Sequence, residues 1–118
     1  MDLSGIRVLD LTQFLSGPYA TQILADLGAD IIKLEPPQGD PIRVVPPHFV
    51  GEDSVYYLCI NRNKRCIAVD MKVDAGRELV KKLALSSDIV MENFRPGVLE
   101  RLGHRLPSWS SVEKSRPV

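Results

Sequence analysis

The sequence predicts an α/β fold in which a parallel sheet carries helices on its faces. Short apolar runs alternate along the chain with segments whose apolar residues have helical spacing. The runs are apolar at nearly every position, which is typical of strands buried on both faces of a parallel sheet. The chain has 118 residues, 44% of them hydrophobic and 25% charged, so we expect one ordinary globular domain.

The first strand, helix and second strand form a β-α-β unit. Residues 6–11 are mostly apolar and predict the first strand. A turn over residues 12–17 leads into a helix with Pro18 in its first turn and Gly28 at its end. The apolar residues that keep helical spacing, and so predict its buried face, are Ala20, Ile23, Leu24 and Leu27. Residues 30–35 predict the second strand, which ends at a pair of prolines.

A proline-rich segment follows the second strand. Five of the nine prolines lie between residues 36 and 53, which predicts a long loop. Loops of this length inside a compact domain are often functional, and a disordered excursion is the alternative. Residues 54–60 are apolar and aromatic, and they fit either a short helix or a short strand.

The second half of the chain continues the alternation of strands and helices. Residues 66–71 predict a third strand, and Asp74 is expected to cap the helix that follows. The apolar residues that share one face of this helix are Ala75, Leu79, Val80, Leu83 and Ala84. Residues 88–92 predict a fourth strand, and a short helix between Pro96 and Gly103 comes next.

The last segment, residues 104–118, has no apolar period that would predict a packed helix or strand. It contains four serines, two prolines and Trp109. We expect it to be loosely ordered, so that the folded portion comprises residues 1–103.

Three segments are predicted to lie beyond the carboxyl ends of the strands, where parallel sheets bind ligands. They are residues 12–18, Met71 with Lys72, and residues 93–101. Helix amino termini offer free backbone N–H groups, lysine offers a point charge, and Arg95 and Arg101 offer forked donors. This combination favours a phosphorylated ligand.

Residues 61–72 form a basic stretch that flanks the predicted third strand. Its four cationic residues are Arg62, Lys64, Arg65 and Lys72. We interpret the stretch as a positively charged rim facing an anionic ligand, and a solvated loop running into a buried strand is the alternative. Fifteen cationic and fifteen anionic side chains balance over the whole chain, so neither nucleic acid nor an anionic membrane surface is an expected partner.

A nicotinamide dinucleotide site is the obvious rival to this interpretation. Glu35 follows Gly17 by eighteen positions, much as the ribose-binding acid follows the glycines of that fingerprint. The glycine pattern fails, however, because only Gly17 stands in the turn and Pro18 follows it. The chain also lacks a GxSxG motif and any metal-ligand spacing, so we predict no hydrolase site, no metal and no permanently bound cofactor.

Six segments taken together resemble the N-terminal portion of the class III CoA-transferases. The segments are residues 3–11, 16–18, 24–35, 61–65, 69–72 and 92–103. This family includes formyl-CoA transferase, carnitine CoA-transferase and α-methylacyl-CoA racemase. The resemblance implies a Rossmann-like CoA-binding portion in residues 1–103, incomplete relative to the family's full interlocked-dimer fold. It also implies that coenzyme A is a substrate.

Carried over by position, the resemblance implies that ten residues line a CoA site. They are Leu15, Ser16, Val69, Asp70, Met71, Lys72, Asn93, Phe94, Arg95 and Arg101. Two positions depart from the pattern of some family members. Pro36 stands where those members have an arginine, and Gln13 stands where they have a histidine.

The function implied by the resemblance is transfer of CoA between an acyl-CoA and a carboxylic acid, by a homodimer. The two cysteines, which lack a disulfide framework or zinc spacing, and the absence of a secretory pattern in residues 1–7 predict a cytoplasmic protein. In the family, the aspartate that attacks the thioester lies well beyond the position of Gly103. We therefore expect no catalytic residue in these 118 residues, which we interpret as a truncated and inactive portion. The alternatives are an acyl-CoA racemase or epimerase of the same family, and a non-catalytic CoA-binding or unstable truncated product.

Overall fold

The fold is built on a four-stranded parallel sheet. The computed structural model describes residues 1–103. The strands in chain order are β1 (Arg7–Asp10), β2 (Asp30–Glu35), β3 (Phe49–Val50), β4 (Asp53–Ser54), β5 (Lys64–Ala68) and β6 (Ile89–Met91). The parallel sheet has the order β5-β2-β1-β6, and β3 pairs with β4 in a separate antiparallel hairpin. The predicted α/β class is confirmed, and so are the four predicted strands.

Helices follow the strands of the parallel sheet. They are α1 (Ser16–Asp26), a 3-10 helix (Pro41–Val44), α2 (Val55–Ile60), α3 (Asp74–Leu85) and α4 (Val98–Arg101). Pro18 lies in the first turn of α1, as predicted. Gly28 follows the end of α1 with φ of 101°, in the left-handed region that favours glycine. The sequence signals for both ends of this helix are therefore confirmed.

The sheet face covered by α3 and α4 carries the larger apolar core. Its buried members are Leu9, Leu11, Leu34, Val69, Val80, Ala84 and Leu99. Side chains alternate between the two faces along each strand, so Leu9 of β1 and Leu34 of β2 point to this side. On α3, Val80 and Ala84 are buried as predicted, whereas Leu79 is 38% exposed.

The opposite face, covered by α1, is apolar only near the amino ends of the strands. The buried apolar residues there are Val8, Ala25, Ala29 and Ile31. Towards the carboxyl ends, the same face carries Asp10, Lys33 and Glu35, each at most 4% exposed. One half of this face is therefore a buried polar surface.

This polar surface corrects the predicted apolar face of α1. Ile23 is 45% exposed. The buried residues of the helix are Gly17, Pro18, Thr21, Gln22 and Ala25. The Thr21 hydroxyl donates a hydrogen bond to Asp10 Oδ2 over 2.5 Å. The predicted face is therefore confirmed in part, since Leu24 packs against the apolar cluster. Helical spacing missed Thr21, which is buried because the sheet presents a carboxylate to α1 and requires a polar partner from it.

Two predicted boundaries also change. β5 begins at Lys64 and ends at Ala68, instead of spanning residues 66–71. Its partner explains this, because β2 ends at Glu35 and Ala68 is the residue paired with Glu35. Asp74 is the first residue of α3 and pairs with Arg77, while Val73 occupies the cap position.

The proline-rich segment is largely folded onto the sheet. It contains the 3-10 helix and the β3–β4 hairpin, and Ile42 packs with Tyr57 and Ile60 in a third apolar cluster. Ser54 caps α2, since its hydroxyl oxygen accepts a hydrogen bond from the Tyr57 N–H over 3.1 Å. Residues 54–60 thus adopt the helical alternative.

The segment 104–118, for which we predicted loose order, lies outside the described residues. Within residues 1–103, none of the helices combines the length and the apolar character that crossing a membrane requires.

Gly76 of α3 approaches the backbone of Asp70 so closely that a side chain would not fit. A Cβ placed on Gly76 would lie 1.8 Å from the Asp70 carbonyl oxygen. We expect Gly76→Ala to lower the free energy of unfolding by about 1–3 kcal/mol through overpacking. Helix propensity alone would raise it by about 1 kcal/mol. Urea denaturation measures the sign of the change.

The neighbouring exposed residue offers a matched control. Ala75→Gly reports the helix-propensity contribution without the contact, and a loss of about 1 kcal/mol is expected. A Gly76→Ala variant that is at least as stable as the parent protein would contradict the close approach.

Candidate functional site

The carboxyl edge of the parallel sheet is where the predicted ligand segments lie. The strand order places β1 beside β6, although β1 is the first and β6 the last strand of this sheet in the chain. Such a reversal of strand order is where open α/β sheets form a crevice for ligands. The β1–α1 loop (residues 11–15) and the β6–α4 loop (residues 92–97) leave the sheet at this point.

The two loops are joined by hydrogen bonds. The Leu11 N–H donates to the Met91 carbonyl oxygen over 2.8 Å. Asn93 then bridges to Gln13 through its side-chain amide, accepting from the Gln13 N–H over 2.9 Å and donating to the Gln13 carbonyl over 2.7 Å. The side-chain oxygen and one side-chain N–H of Asn93, a predicted CoA residue, therefore both bind the β1–α1 loop.

Leu15 and Ser16 lie where the β1–α1 loop enters the helix. Leu15 occupies the cap position of α1, and its side chain is 54% exposed. Ser16 is the first residue of α1 and is exposed. The amino terminus of α1 therefore lies at the crevice, and the first backbone N–H groups of a helix have no acceptor within the helix. That residues 12–18 meet a ligand stays a prediction.

The segment after β5 divides into core and surface residues. Val69 is buried, so this predicted contact could meet a ligand through its backbone only. Met71 packs against the apolar core and is half-buried. The Asp70 carboxylate accepts a hydrogen bond from the Lys72 N–H over 2.9 Å. The Lys72 side chain is exposed and forms no ion pair with residues 1–103.

The segment after β6 divides in the same way. Phe94 packs against the apolar core that also receives Met71. Arg95 and Arg101 are exposed, and their guanidinium groups have no ion-pair partner within the described part of the chain. Together with Lys72, they are the cations at this edge that remain free to meet an anionic ligand.

The other cations of the basic stretch 61–72 correct its interpretation as a charged rim. Arg62 pairs with Asp26 over 2.6 Å, Arg65 with Asp30 over 2.7 Å, and Lys64 with Asp10 over 3.2 Å. Residues 62–65 lie at the amino end of β5, whereas the ligand crevice lies at the carboxyl end. Of the four cations in this stretch, only Lys72 belongs to the candidate site.

A buried ionic cluster lies behind the β1–α1 loop, and sequence reasoning missed it. The side chains of Lys33 and Lys64 have no exposed surface, and they pair with Asp40 over 2.8 Å and with Asp10 over 3.2 Å. Burial lowers the pKa of Lys64, and the nearby Asp10 carboxylate opposes that shift. A lysine between the apolar residues of β2 was the available signal, because a buried charge requires a partner.

A second cluster holds the proline-rich segment against the sheet. Arg43 donates to Glu35 over 2.8 Å and to Asp53 over 2.7 Å, and its guanidinium group lies 3.8 Å from the centre of the Tyr57 ring. The Tyr57 hydroxyl donates to Glu35 Oε1 over 2.6 Å. The Glu35 carboxylate is therefore occupied, which gives the dinucleotide interpretation no free acid for a ribose.

Burial opposes ionisation of Glu35, but hydrogen bonds from Arg43 and Tyr57 outweigh it and lower the pKa to about 2. Burial raises the pKa of Tyr57, and hydrogen bonding to Cys66 and Glu35 adds to the increase. Over the described residues, no three His, Cys, Asp or Glu side chains come together as a metal site would require.

Comparison with known sequences identifies the family of the chain. The model of CoA-transferase family III matches residues 3–115. The chain belongs to CoA-transferase family III. The match continues past Gly103, where the motifs that carry the resemblance end, so the similarity to the family is longer than those motifs indicated.

Relatives with CoA-transferase names include a human and a bacterial protein. Human succinyl-CoA:glutarate CoA-transferase is 49% identical over 102 residues, which cover 86% of this chain and 23% of the human protein. Formyl-CoA:oxalate CoA-transferase of Streptomyces coelicolor is 44% identical over 115 residues, covering 98% of this chain and 27% of that protein. The chain spans about a quarter of the length of these relatives.

A solved structure has the same fold. The crystal structure of a CAIB/BAIF family protein from Brucella suis matches with a TM-score of 0.86 and 39% sequence identity. The match covers 93% of this chain and 30% of that protein. The sheet and helices of this chain thus correspond to part of the fold of that longer protein.

The depressed pKa of Glu35 predicts how stability depends on pH. The unfolded value is 4.5 and the folded value about 2, so the ionised group stabilises the fold above pH 4.5. This contribution is lost as the pH falls from 4.5 towards 2. We expect Glu35→Gln to be less stable than the parent protein at neutral pH, and the difference to shrink over that range.

Urea denaturation between pH 2 and pH 7 measures this difference. Glu78→Gln, on the exposed face of α3, is the matched control for loss of a carboxylate. A stability difference for Glu35→Gln that stays constant across the range would refute the assigned role of the carboxylate.

Proposed function

We propose that this chain supplies the coenzyme A-binding part of an enzyme that transfers CoA between an acyl-CoA and a carboxylic acid. Membership of CoA-transferase family III supports the reaction class. The names of the human and Streptomyces relatives favour a transferase over a racemase of the same family. In the proposed enzyme, CoA is a substrate and two copies of the whole protein associate.

The observation that carries the proposal is the set of free cations at the carboxyl edge. Lys72, Arg95 and Arg101 come from two separate segments of the chain, and each is exposed. CoA carries a pyrophosphate and a ribose phosphate, and arginine forks and lysine ammonium groups are the usual partners of such anions. The amino terminus of α1 adds free backbone N–H groups beside them.

The nucleophile of the proposed reaction lies outside these residues. The resemblance implies an aspartate that attacks the thioester, in a part of the family sequence beyond Gly103. The carboxylates near the crevice already have partners, because Asp10 and Asp40 pair with buried lysines. Asp70 and Glu92 accept hydrogen bonds from the backbone N–H groups two residues further along the chain. We therefore assign this chain a binding role and no covalent step.

Calorimetric titration with CoA tests the binding site. We expect Lys72→Ala and Arg101→Ala each to weaken binding by about tenfold, because each removes a charge-assisted contact to a phosphate. Lys81→Ala is the matched control, since Lys81 is an exposed cation on α3 that pairs with Glu78. Equal affinities for the Lys72, Arg101 and Lys81 variants would rule out the assigned site.

An enzymatic assay tests the location of the nucleophile. The 118-residue chain, mixed with an acyl-CoA and a carboxylate acceptor, is expected to give no turnover because the attacking carboxylate is missing. Chromatographic detection of the new thioester measures the rate. Steady turnover would show that a residue of this chain performs the chemistry, and the assignment of a binding role alone would be wrong.

A further inference from the structure

The buried lysines Lys33 and Lys64 donate hydrogen bonds to backbone carbonyl oxygens at the two ends of residues 12–18. Lys33 reaches from β2 and donates to the Thr12 carbonyl over 3.1 Å. Lys64 reaches from β5 and donates to the Pro18 carbonyl over 2.8 Å and to Asn61 over 2.9 Å. Two strands thus hold the two ends of one segment, residues 12–18.

The charges of the cluster balance within it. Lys33 has Asp40 and Lys64 has Asp10, so the four groups together are neutral. Burying such pairs is seldom the most stabilising choice, because apolar residues of similar volume avoid the cost of removing charges from water. Stability alone therefore does not explain why two lysines are buried here. Their hydrogen bonds to the backbone carbonyl oxygens offer an explanation.

The segment between the two carbonyls contains a strained residue. Phe14 has φ of 66°, a left-handed conformation that is uncommon for a bulky side chain. Its side chain is 57% exposed, so packing of its own ring does not compensate for the strain. Such a conformation persists only where the surrounding structure holds it. Leu15 and Ser16, two predicted CoA contacts, follow Phe14 directly.

We propose that Lys33 and Lys64 are positioning residues that hold residues 12–18 in this strained form and so present the amino terminus of α1 to the ligand. Asp10 also holds the start of this segment. Its Oδ1 atom accepts hydrogen bonds from the Thr12 N–H over 2.9 Å and from the Thr12 hydroxyl over 2.5 Å. The link to ligand binding rests on the proposed function, whereas the link to the loop conformation does not.

The test removes the lysine and its counter-charge together. Asp10→Asn with Lys64→Met keeps the cluster neutral, and the asparagine can still accept from Thr12 while the bond to the Pro18 carbonyl is lost. The matched control is Asp26→Asn with Arg62→Met, which removes an exposed ion pair of the same basic stretch. Amide hydrogen exchange of residues 13–17, thermal unfolding and calorimetric titration with CoA are measured for each protein.

We expect the Asp10→Asn/Lys64→Met protein to unfold cooperatively, its amides 13–17 to exchange about tenfold faster, and its CoA dissociation constant to rise about tenfold. The control should resemble the parent protein in all three measurements. Exchange and affinity that match those of the parent would overturn the proposal, because the loop would then keep its conformation without Lys64.

A second double variant keeps the test decisive if the first does not fold. Lys33→Met with Asp40→Asn removes the bond to the Thr12 carbonyl and leaves Asp10 and Lys64 intact, and it should give the same faster exchange. If neither neutral pair unfolds cooperatively, the cluster serves the whole fold and the positioning role is refuted. If the parent protein binds no CoA but the loop amides respond as expected, the proposed function fails while the positioning role stands.

Discussion

The buried ion pair between Asp10 and Lys64 is the interaction on which the arrangement of the carboxyl edge depends. Asp10 ends β1 with no exposed surface, and a carboxylate in that position must be surrounded by donors. Thr12, Thr21 and Lys64 supply them from the next loop, from α1 and from β5. One carboxylate thereby joins the β1–α1 loop and α1 to β5, whose Lys64 lies 54 residues away in the chain.

The two faces of the sheet consequently contribute differently to the structure. The face under α3 and α4 carries the larger apolar core and with it more of the hydrophobic stabilisation, although Arg7, Asp30 and Arg65 form ion pairs at its amino end. The face under α1 has a smaller apolar area because part of it is polar. Its hydrogen bonds and ion pairs are directional, so they fix the positions of the groups that they join. Close backbone approaches add to this geometry. A Cβ on Gly17 would lie 2.3 Å from Thr12 Cβ, so the first turn of α1 rests directly on the loop residue that Asp10 holds.

Local patterns in the sequence were sufficient for the order and type of the elements. Apolar runs of strand length, helical spacing in α3, Pro18 at the start of α1 and Gly28 after its end are all local signals. They missed part of the buried face of α1, which includes Thr21 and Gln22. They also failed for the ends of β5, because a strand ends where its neighbour stops pairing.

For the site, the sequence by itself determined which residue types follow each strand, including Lys72, Arg95 and Arg101, and the family to which their motifs belong. Only the tertiary structure decided which charges are free. Arg62, Lys64 and Arg65 are as cationic in the sequence as Lys72, but they meet Asp26, Asp10 and Asp30 once the strands pair. The physical reason is that a charge acts through its nearest partner in space, and those partners are 35 or more residues away in the chain.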